Sequence, residues 1–193
     1  MKWGLTPQWL SKPSKNTIIN ARNEKILQKK SFYYLARRNR CLIPANGFYE
    51  WKKNNNRKDP YLIRHSKSNL IAFAGVWDEY KLTESSSLNS SKPVQKKRFG
   101  SFLILTRVAL PSISYINERM PVIVEKGDFD LWLEDLSFNP IDDGKIKHIF
   151  NKEIKDIESF PVSNRVNKIK NNDSDCVVEI NEKQQNSFQG ELF

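Results

Sequence analysis

The stretch 70–77, Leu-Ile-Ala-Phe-Ala-Gly-Val-Trp, constrains the fold more than any other part of the chain. It is a nearly continuous apolar run of the length of one strand, with no polar face to offer to water. It predicts a central strand buried on both sides, so other layers must cover both faces of its sheet. Gly75 inside the run predicts a close backbone approach, because a side chain there would keep a neighbour away. With 193 residues, 38% of them hydrophobic and 28% charged, the chain is long enough for a real core and too apolar for general disorder.

Strands dominate around this run, and the reading is α+β. Cys41-Leu42-Ile43-Pro44 leads into Gly47-Phe48-Tyr49-Glu50-Trp51, an aromatic-rich stretch suited to a strand. The lysine- and asparagine-rich residues 52–59 predict a hairpin loop, and Pro60 to Arg64 a returning strand. Further strands are predicted over 99–106 and 120–124. Pro111 in a first turn predicts a short helix over 111–116. Capping and charge signals predict helices over 128–133 and 144–150. Phe160-Pro161-Val162 opens the final ordered segment. Residues 83–97, rich in Ser, Lys and Asn, predict a mobile loop rather than a domain linker. One domain over 1–180 and a polar flexible tail over 181–193 account for the chain, and no internal repeat is present.

Charge narrows the function classes. Thirty-two basic and 22 acidic residues give a net charge of +10, which points to a polyanionic partner. Nucleic acid is the first such partner and an acidic membrane surface the second. No stretch approaches the roughly 20 apolar residues of a membrane span, and the N-terminus has no signal-like apolar run, so the expectation is a cytoplasmic, nucleoid-associated protein with no membrane partner. Two cysteines, Cys41 and Cys176, make no disulfide framework. Two scattered histidines, His65 and His148, suggest no zinc site, and neither a metal nor a cofactor is expected. Between residues 16 and 40, Arg22, Lys25, Lys29, Lys30, Arg37, Arg38 and Arg40 face one acid, Glu24, with Phe32, Tyr33 and Tyr34 among them. Such a segment either neutralises phosphates and stacks on bases, or forms a solvated helix whose aromatics face the core.

Seven strings in order carry a resemblance. They are Trp3-Gly4-Leu5-Thr6-Pro7-Gln8-Trp9, Asn20-Ala21-Arg22-Asn23-Glu24, the run from Arg40 to Trp51 that ends Asn46-Gly47-Phe48-Tyr49-Glu50-Trp51, Ala72-Phe73-Ala74-Gly75-Val76-Trp77, Leu103 to Thr106, Asn117-Glu118-Arg119-Met120-Pro121-Val122-Ile123, and Pro161 to Asn167. In this order the chain resembles the SOS response-associated peptidase (SRAP) family from Trp3 to about Ile180. The resemblance implies a mixed, mostly antiparallel, twisted barrel-like sheet with flanking short helices and a basic channel for single-stranded DNA. It implies recognition of abasic sites, whose opened sugar exposes an aldehyde. It further implies covalent capture of that aldehyde as a thiazolidine by the amine and thiol of an N-terminal cysteine, and a self-processing peptidase step that removes the initiator methionine.

Residue by residue, the resemblance makes Glu50 the acid that moves protons during ring opening and condensation. Its aromatic neighbours Tyr49 and Trp51 would desolvate it and raise its pKa. Asn20 would hold the sugar or the reacting terminus, and Arg22 would fork onto a phosphate. Trp3 would border the flipped-out sugar, with plain core packing as the alternative. Thr106 and Arg119 would contact phosphate, Arg119 having bracing of its loop as an alternative. Arg37 and Arg38 join the DNA-binding set from the basic segment.

The sequence departs from the family pattern in two ways. Family members begin Met-Cys-Gly-Arg several tens of residues ahead of the Trp-Gly-Leu string, whereas here Lys2 follows Met1. Cys41, expected in a buried strand without a free amine, does not replace that cysteine. Asn117 stands where the family has a histidine, and asparagine cannot exchange a proton near neutral pH. Two explanations stay open: an incomplete chain of a family member, lacking its N-terminal catalytic strand, or a protein that lost the covalent chemistry and kept single-stranded DNA binding. A basic RNA-binding module is a third reading from another class. Finally, Gln189-Gly190-Glu191-Leu192-Phe193 resembles the peptide by which bacterial repair proteins dock on the sliding clamp. Gln189 would supply a directional hydrogen bond, and Leu192 and Phe193 would fill an apolar pocket.

Overall fold

Alternation along one strand organises the molecule. In β7 (Lys96–Val108), Ser101, Leu103 and Leu105 are wholly buried, while Phe102, Ile104 and Thr106 on the other face are only half-buried. Successive side chains of a strand point to opposite faces, so β7 gives one face to a core and the other to a cleft. The computed structural model describes residues 1–10, 17–55, 57–83, 96–136 and 143–181. The predicted loop over 83–97 lies outside them except at its ends, and so do Gln189, Leu192 and Phe193.

The central strand predicted from residues 70–77 is β6 (Ile71–Thr83), which pairs antiparallel with β7 from Gly75 opposite Ile104 to Thr83 opposite Lys96. β3 (Arg40–Ala45) pairs antiparallel along the other edge of β6. Two short strands, β1 (Lys2–Trp3) and β2 (Asn20–Arg22), lie parallel to β7 on its far side. Beyond Gly75 and Ile104 the two long strands part, and β8 (Arg119–Pro121) and β9 (Ile123–Val124) enter the gap. Val122 joins both sides there: its N–H donates to Leu105 at 2.8 Å, and its carbonyl accepts from Ala74 at 2.8 Å. These seven strands form one mixed sheet. A second, antiparallel sheet consists of β4 (Phe48–Asn54), β5 (Arg57–His65) and β10 (Ile157–Pro161) in the order β10-β5-β4. The α+β, mostly antiparallel expectation holds, although the described strands form two sheets and not a closed barrel.

Two apolar layers follow. One face of the large sheet packs Ala74, Val76, Leu103 and Leu105 against the helices α1 (Asn23–Ile26), α2 (Lys30–Arg38), α3 (Phe129–Leu133) and α4 (Asp143–Asn151). The opposite face packs Phe73 and Ile123 against Ile63 of the small sheet. Helix α2 buries Phe32, Leu35 and Ala36 on one stripe and leaves Tyr34 and Arg38 outside, so its aromatics divide between core and solvent. Trp132 of α3 is 1% exposed, packs on Phe150, and donates its indole N–H to the Cys41 carbonyl at 3.0 Å, which closes part of the outer edge of β3. At Gly75 an added Cβ would lie 2.9 Å from the Leu103 carbonyl oxygen and 2.3 Å from Ile43 Cδ1, the close approach its place in the run predicted.

Two local expectations are corrected. Residues 111–116 form successive turns, with Ile113 and Ser114 N–H both donating to the Leu110 carbonyl, and not a helix. Ile113 and Ile116 turn into the layer between the sheets, and that packing outweighs the helix-start signal of Pro111. The hairpin loop predicted over 52–59 is far shorter, because pairing continues to Asn54 opposite Arg57. Polar residues extend the ladder here, with Asn55 at a positive φ of 50° in the turn.

Candidate active site

Where the two sheets diverge they enclose an open cleft of about 850 Å³. Its floor is apolar, built from Ile43, Phe48, Phe73 and Ile104. The rim carries the polar groups: Asn20 and Arg22 from β2, Glu50 from β4, Thr106 from β7, and Asn117 and Arg119 at the entry to β8. Trp3 and Trp51 form opposing shoulders. Register explains the convergence. Asn20 lies opposite Ile104 and Arg22 opposite Thr106, so both project on the cleft side of β7 while Ala21 between them packs against the helical core. An apolar floor with a few convergent polar groups is the usual form of a ligand site.

Glu50 and Asn117 are in direct contact. Asn117 Nδ2 donates to Glu50 Oε2 at 2.6 Å, and Asn117 Oδ1 accepts from the Arg119 N–H at 3.3 Å. The two contacts fix which way the amide faces. Burial pushes the Glu50 carboxyl above its ordinary range, against the opposing effects of the Asn117 and Trp51 hydrogen bonds.

Arg119 is committed within the protein. Its Nη1 and Nη2 fork onto Glu24 at 2.6 and 3.1 Å, and Nη2 also donates to the Thr106 carbonyl at 2.6 Å and to Thr106 Oγ1 at 3.3 Å. The pair holds the Glu24 carboxyl below its usual range. These contacts tie Arg119 to α1 and β7. Thr106 likewise spends its hydroxyl on protein, donating to the Ala21 carbonyl at 3.5 Å. The Glu24 clamp carries no role in the reading from sequence, although Glu24 stands within the Asn20–Glu24 string; an ion pair to a residue so far along the chain leaves no local pattern.

Arg22 makes no ion pair or hydrogen bond among the described residues and is exposed on the rim. Trp3 is 51% exposed, its ring fixed by an indole N–H to the Ile19 carbonyl at 2.9 Å. The structure does not bring Arg37 and Arg38 to the cleft. Arg37 is buried, pairs with Asp143 at 2.8 Å and donates to the Leu136 carbonyl at 2.7 Å, which turns it into the fold. Arg38 lies on the outer face of α2, donating to Tyr34 Oη at 2.9 Å. Neither cysteine lines the cleft, and burial pushes the Cys41 thiol up to about 12. The described residues hold no cluster of three or more His, Cys, Asp or Glu fit for a metal. No helix among them is long and apolar enough to cross a membrane.

Beside the cleft, and sharing Asn20, Ala21 and Arg22 with it, runs a groove of about 340 Å³ that adds Lys25, Lys29 and Phe32. The arrangement can therefore seat an uncharged, ring-sized group over the apolar floor, offer it one acid at Glu50, and hold flanking anions at Arg22, Lys25 and Lys29.

Comparison with known proteins bears on the family and the fold. Residues 1–169 match the family model described as SOS response associated peptidase (SRAP). The abasic site processing protein YoqW of Bacillus subtilis (strain 168) is 32% identical over 180 residues, spanning 92% of this chain and 74% of that protein. The abasic site processing protein HMCES of Rattus norvegicus is 32% identical over 200 residues, covering 92% of this chain but 55% of its own length. A crystal structure of a protein from Bacteroides thetaiotaomicron superposes with a TM-score of 0.77 at 24% identity, over 93% of this chain and 75% of the other, which establishes likeness of fold.

Proposed function

Because this chain belongs to the SRAP family, we propose that it binds single-stranded DNA and seats an abasic sugar in the cleft between its two sheets, with Glu50 as the acid that moves protons on the sugar. The observation that carries this reading is the Asn117–Glu50 contact at 2.6 Å, on the rim of an apolar-floored cleft that also carries Arg22, which is in no ion pair among the described residues. A closed abasic sugar must open to show its aldehyde. As the ring C–O bond breaks, Glu50 gives its proton to the ring oxygen, and the resulting carboxylate takes the proton of the anomeric hydroxyl. A carboxyl raised by burial suits such an exchange near neutral pH. Asn117 holds Glu50 in place and passes no proton itself.

The strand leaving the cleft runs past Arg22 into the groove of Lys25 and Lys29, neither of which is in an ion pair among the described residues. The crosslinking step implied by the family needs a thiol beside a free amine, and no described residue of the cleft supplies one. The contribution of these residues is therefore binding, orientation and proton transfer. A second reading, a strand-binding module without chemistry, draws on Asn117 in the histidine position. The experiment that separates the two uses an aldehyde-reactive hydroxylamine and abasic single strands. Wild-type protein should speed capture of the opened aldehyde, and Glu50→Gln should bind as well but lose the acceleration. Equal rates for both proteins would leave only the binding module. Intact single-stranded RNA competing as well as the abasic strand would favour the RNA-binding alternative.

The family reading also suggests a place of work. Gln189, Leu192 and Phe193 are suited to dock on a bacterial sliding clamp, which would concentrate the protein at replication forks in the nucleoid. A peptide of the last ten residues should bind purified clamp at micromolar strength. Binding no better than a peptide with Leu192 and Phe193 changed to alanine would dismiss this role.

A further inference from the structure

Lys53 and Lys58 stand directly opposite each other across the β4–β5 hairpin. Side chains in such register lie about 5 Å apart at Cβ, and like charges there repel. The hairpin's buried acid does not relieve them. Asp59 is one residue away from Lys58 and so points to the other face of the hairpin, where it accepts from Arg57 at 3.0 Å and from Asn54 at 3.5 Å. Neither lysine forms an ion pair among the described residues, and both are exposed. They line a hollow of about 480 Å³ with Trp51 and Asn167, and the Trp51 indole N–H donates to Asn167 Oδ1 at 2.8 Å, fixing the ring beside them. The hollow shares Glu50, Trp51 and Asn117 with the main cleft. The two hollows therefore adjoin at these residues, whereas the Lys25–Lys29 groove adjoins the cleft at Asn20, Ala21 and Arg22.

The geometry points to a second anion subsite at Lys53 and Lys58, which takes a phosphate of the nucleic-acid strand on the β4 side of the seated sugar. This rests on the reading that the cleft holds such a strand. A bound phosphate turns an unfavourable pair of ammonium groups into a favourable one, since each cation faces the same anion. It also places cations on both sides of the sugar, so the strand is held across the cleft instead of from one end.

The test compares Lys53→Gln/Lys58→Gln with Lys155→Gln/Lys170→Gln, a control that removes two exposed charges elsewhere. The first variant should melt at or above the wild-type temperature, because repulsion is removed. It should bind an abasic-analogue single strand about 2- to 5-fold more weakly, and the slope of log affinity against log salt should fall by about 0.7, the share of one phosphate on a single strand. The control should keep the wild-type slope. Independently, inorganic phosphate titrated into wild-type protein should shift the amide signals of Lys53, Lys58 and Trp51 in an NMR spectrum. If phosphate shifts them but no single strand binds the wild type, the anion subsite stands and the strand reading falls. If the strand binds, the salt slope is unchanged in the first variant and phosphate leaves these signals in place, the subsite is overturned.

Discussion

Arg37 and Arg22 carry the same guanidinium into opposite surroundings. Arg37 lies buried against Asp143 and the Leu136 carbonyl, so Arg37→Ala should cost about 3 kcal/mol in chemical denaturation, the lower end for a broken buried pair because Asp143 keeps some water contact. Its affinity for single-stranded DNA, measured where the variant is folded, should not change. Arg22 makes no ion pair or hydrogen bond among the described residues, and Arg22→Ala should leave stability nearly intact while weakening strand binding by about 1–3 kcal/mol, read by fluorescence anisotropy. Glu50 gives a pH test whose sign is fixed. Its folded pKa is raised, so the folded state holds the proton more tightly than the unfolded chain does. Stability from this group is then full below the ordinary glutamate range and is lost as pH rises through the raised value. Glu50→Gln, which removes the ionisation, should melt at the same temperature as wild type in acid relative to its own baseline, and progressively higher than wild type as pH approaches neutrality. A constant difference across pH would show that Glu50 does not titrate in this way. Sequence alone marks Asn20, Arg22, Glu50 and Asn117 for the cleft because each sits in a distinctive string. It misplaces Arg37, since a run of basic residues on a helix does not show which of them the tertiary packing will turn inward.

Elements were legible in proportion to their length. β6 and β7 declare themselves through an apolar run and a period-two pattern, and the glycine in the run marks where a side chain on β6 would meet Ile43 of β3 and the Leu103 carbonyl of β7. Gly75→Ala should therefore destabilise by about 1–3 kcal/mol, because a fixed carbonyl oxygen of Leu103 meets the new methyl group and cannot swing aside as a side chain can. Equilibrium unfolding of the alanine variant would check this, and an unchanged midpoint would show that the strands can separate at little cost. β1 and β2, of two and three residues, are too short to carry any periodicity, and their parallel docking on β7 is fixed by partners far along the chain. The turns over 111–116 have the composition of a helix start, but their isoleucines fit the space between the sheets only in the irregular form. The hairpin ladder extends past Lys52 because backbone pairing continues where side chains are solvated, and hydrophobic pattern cannot report on pairing of that kind.

At the scale of the whole molecule, the net charge of +10 is spread over the surface while the cleft concentrates its consequences. If Arg22, Lys25, Lys29 and the hairpin lysines each meet phosphates, affinity should fall steeply with salt, with a log–log slope of about −0.7 for every phosphate neutralised. Titrations at several salt concentrations would measure it, and an affinity indifferent to salt would remove the electrostatic basis of binding. The same arrangement sets an order on assembly. Lys2 pairs with Ser101, and Asn20 to Arg22 pair with Ile104 to Thr106. On a growing chain these first strands have nothing to join until β7 has cleared the ribosome, and such distant pairings form late and slowly. The wall of the cleft that bears Trp3, Asn20 and Arg22 is thus synthesised well before the strand it pairs with and is among the last parts completed, so a nascent chain carries its positive charge past the ribosome's own RNA before it owns a site shaped to bind any nucleic acid.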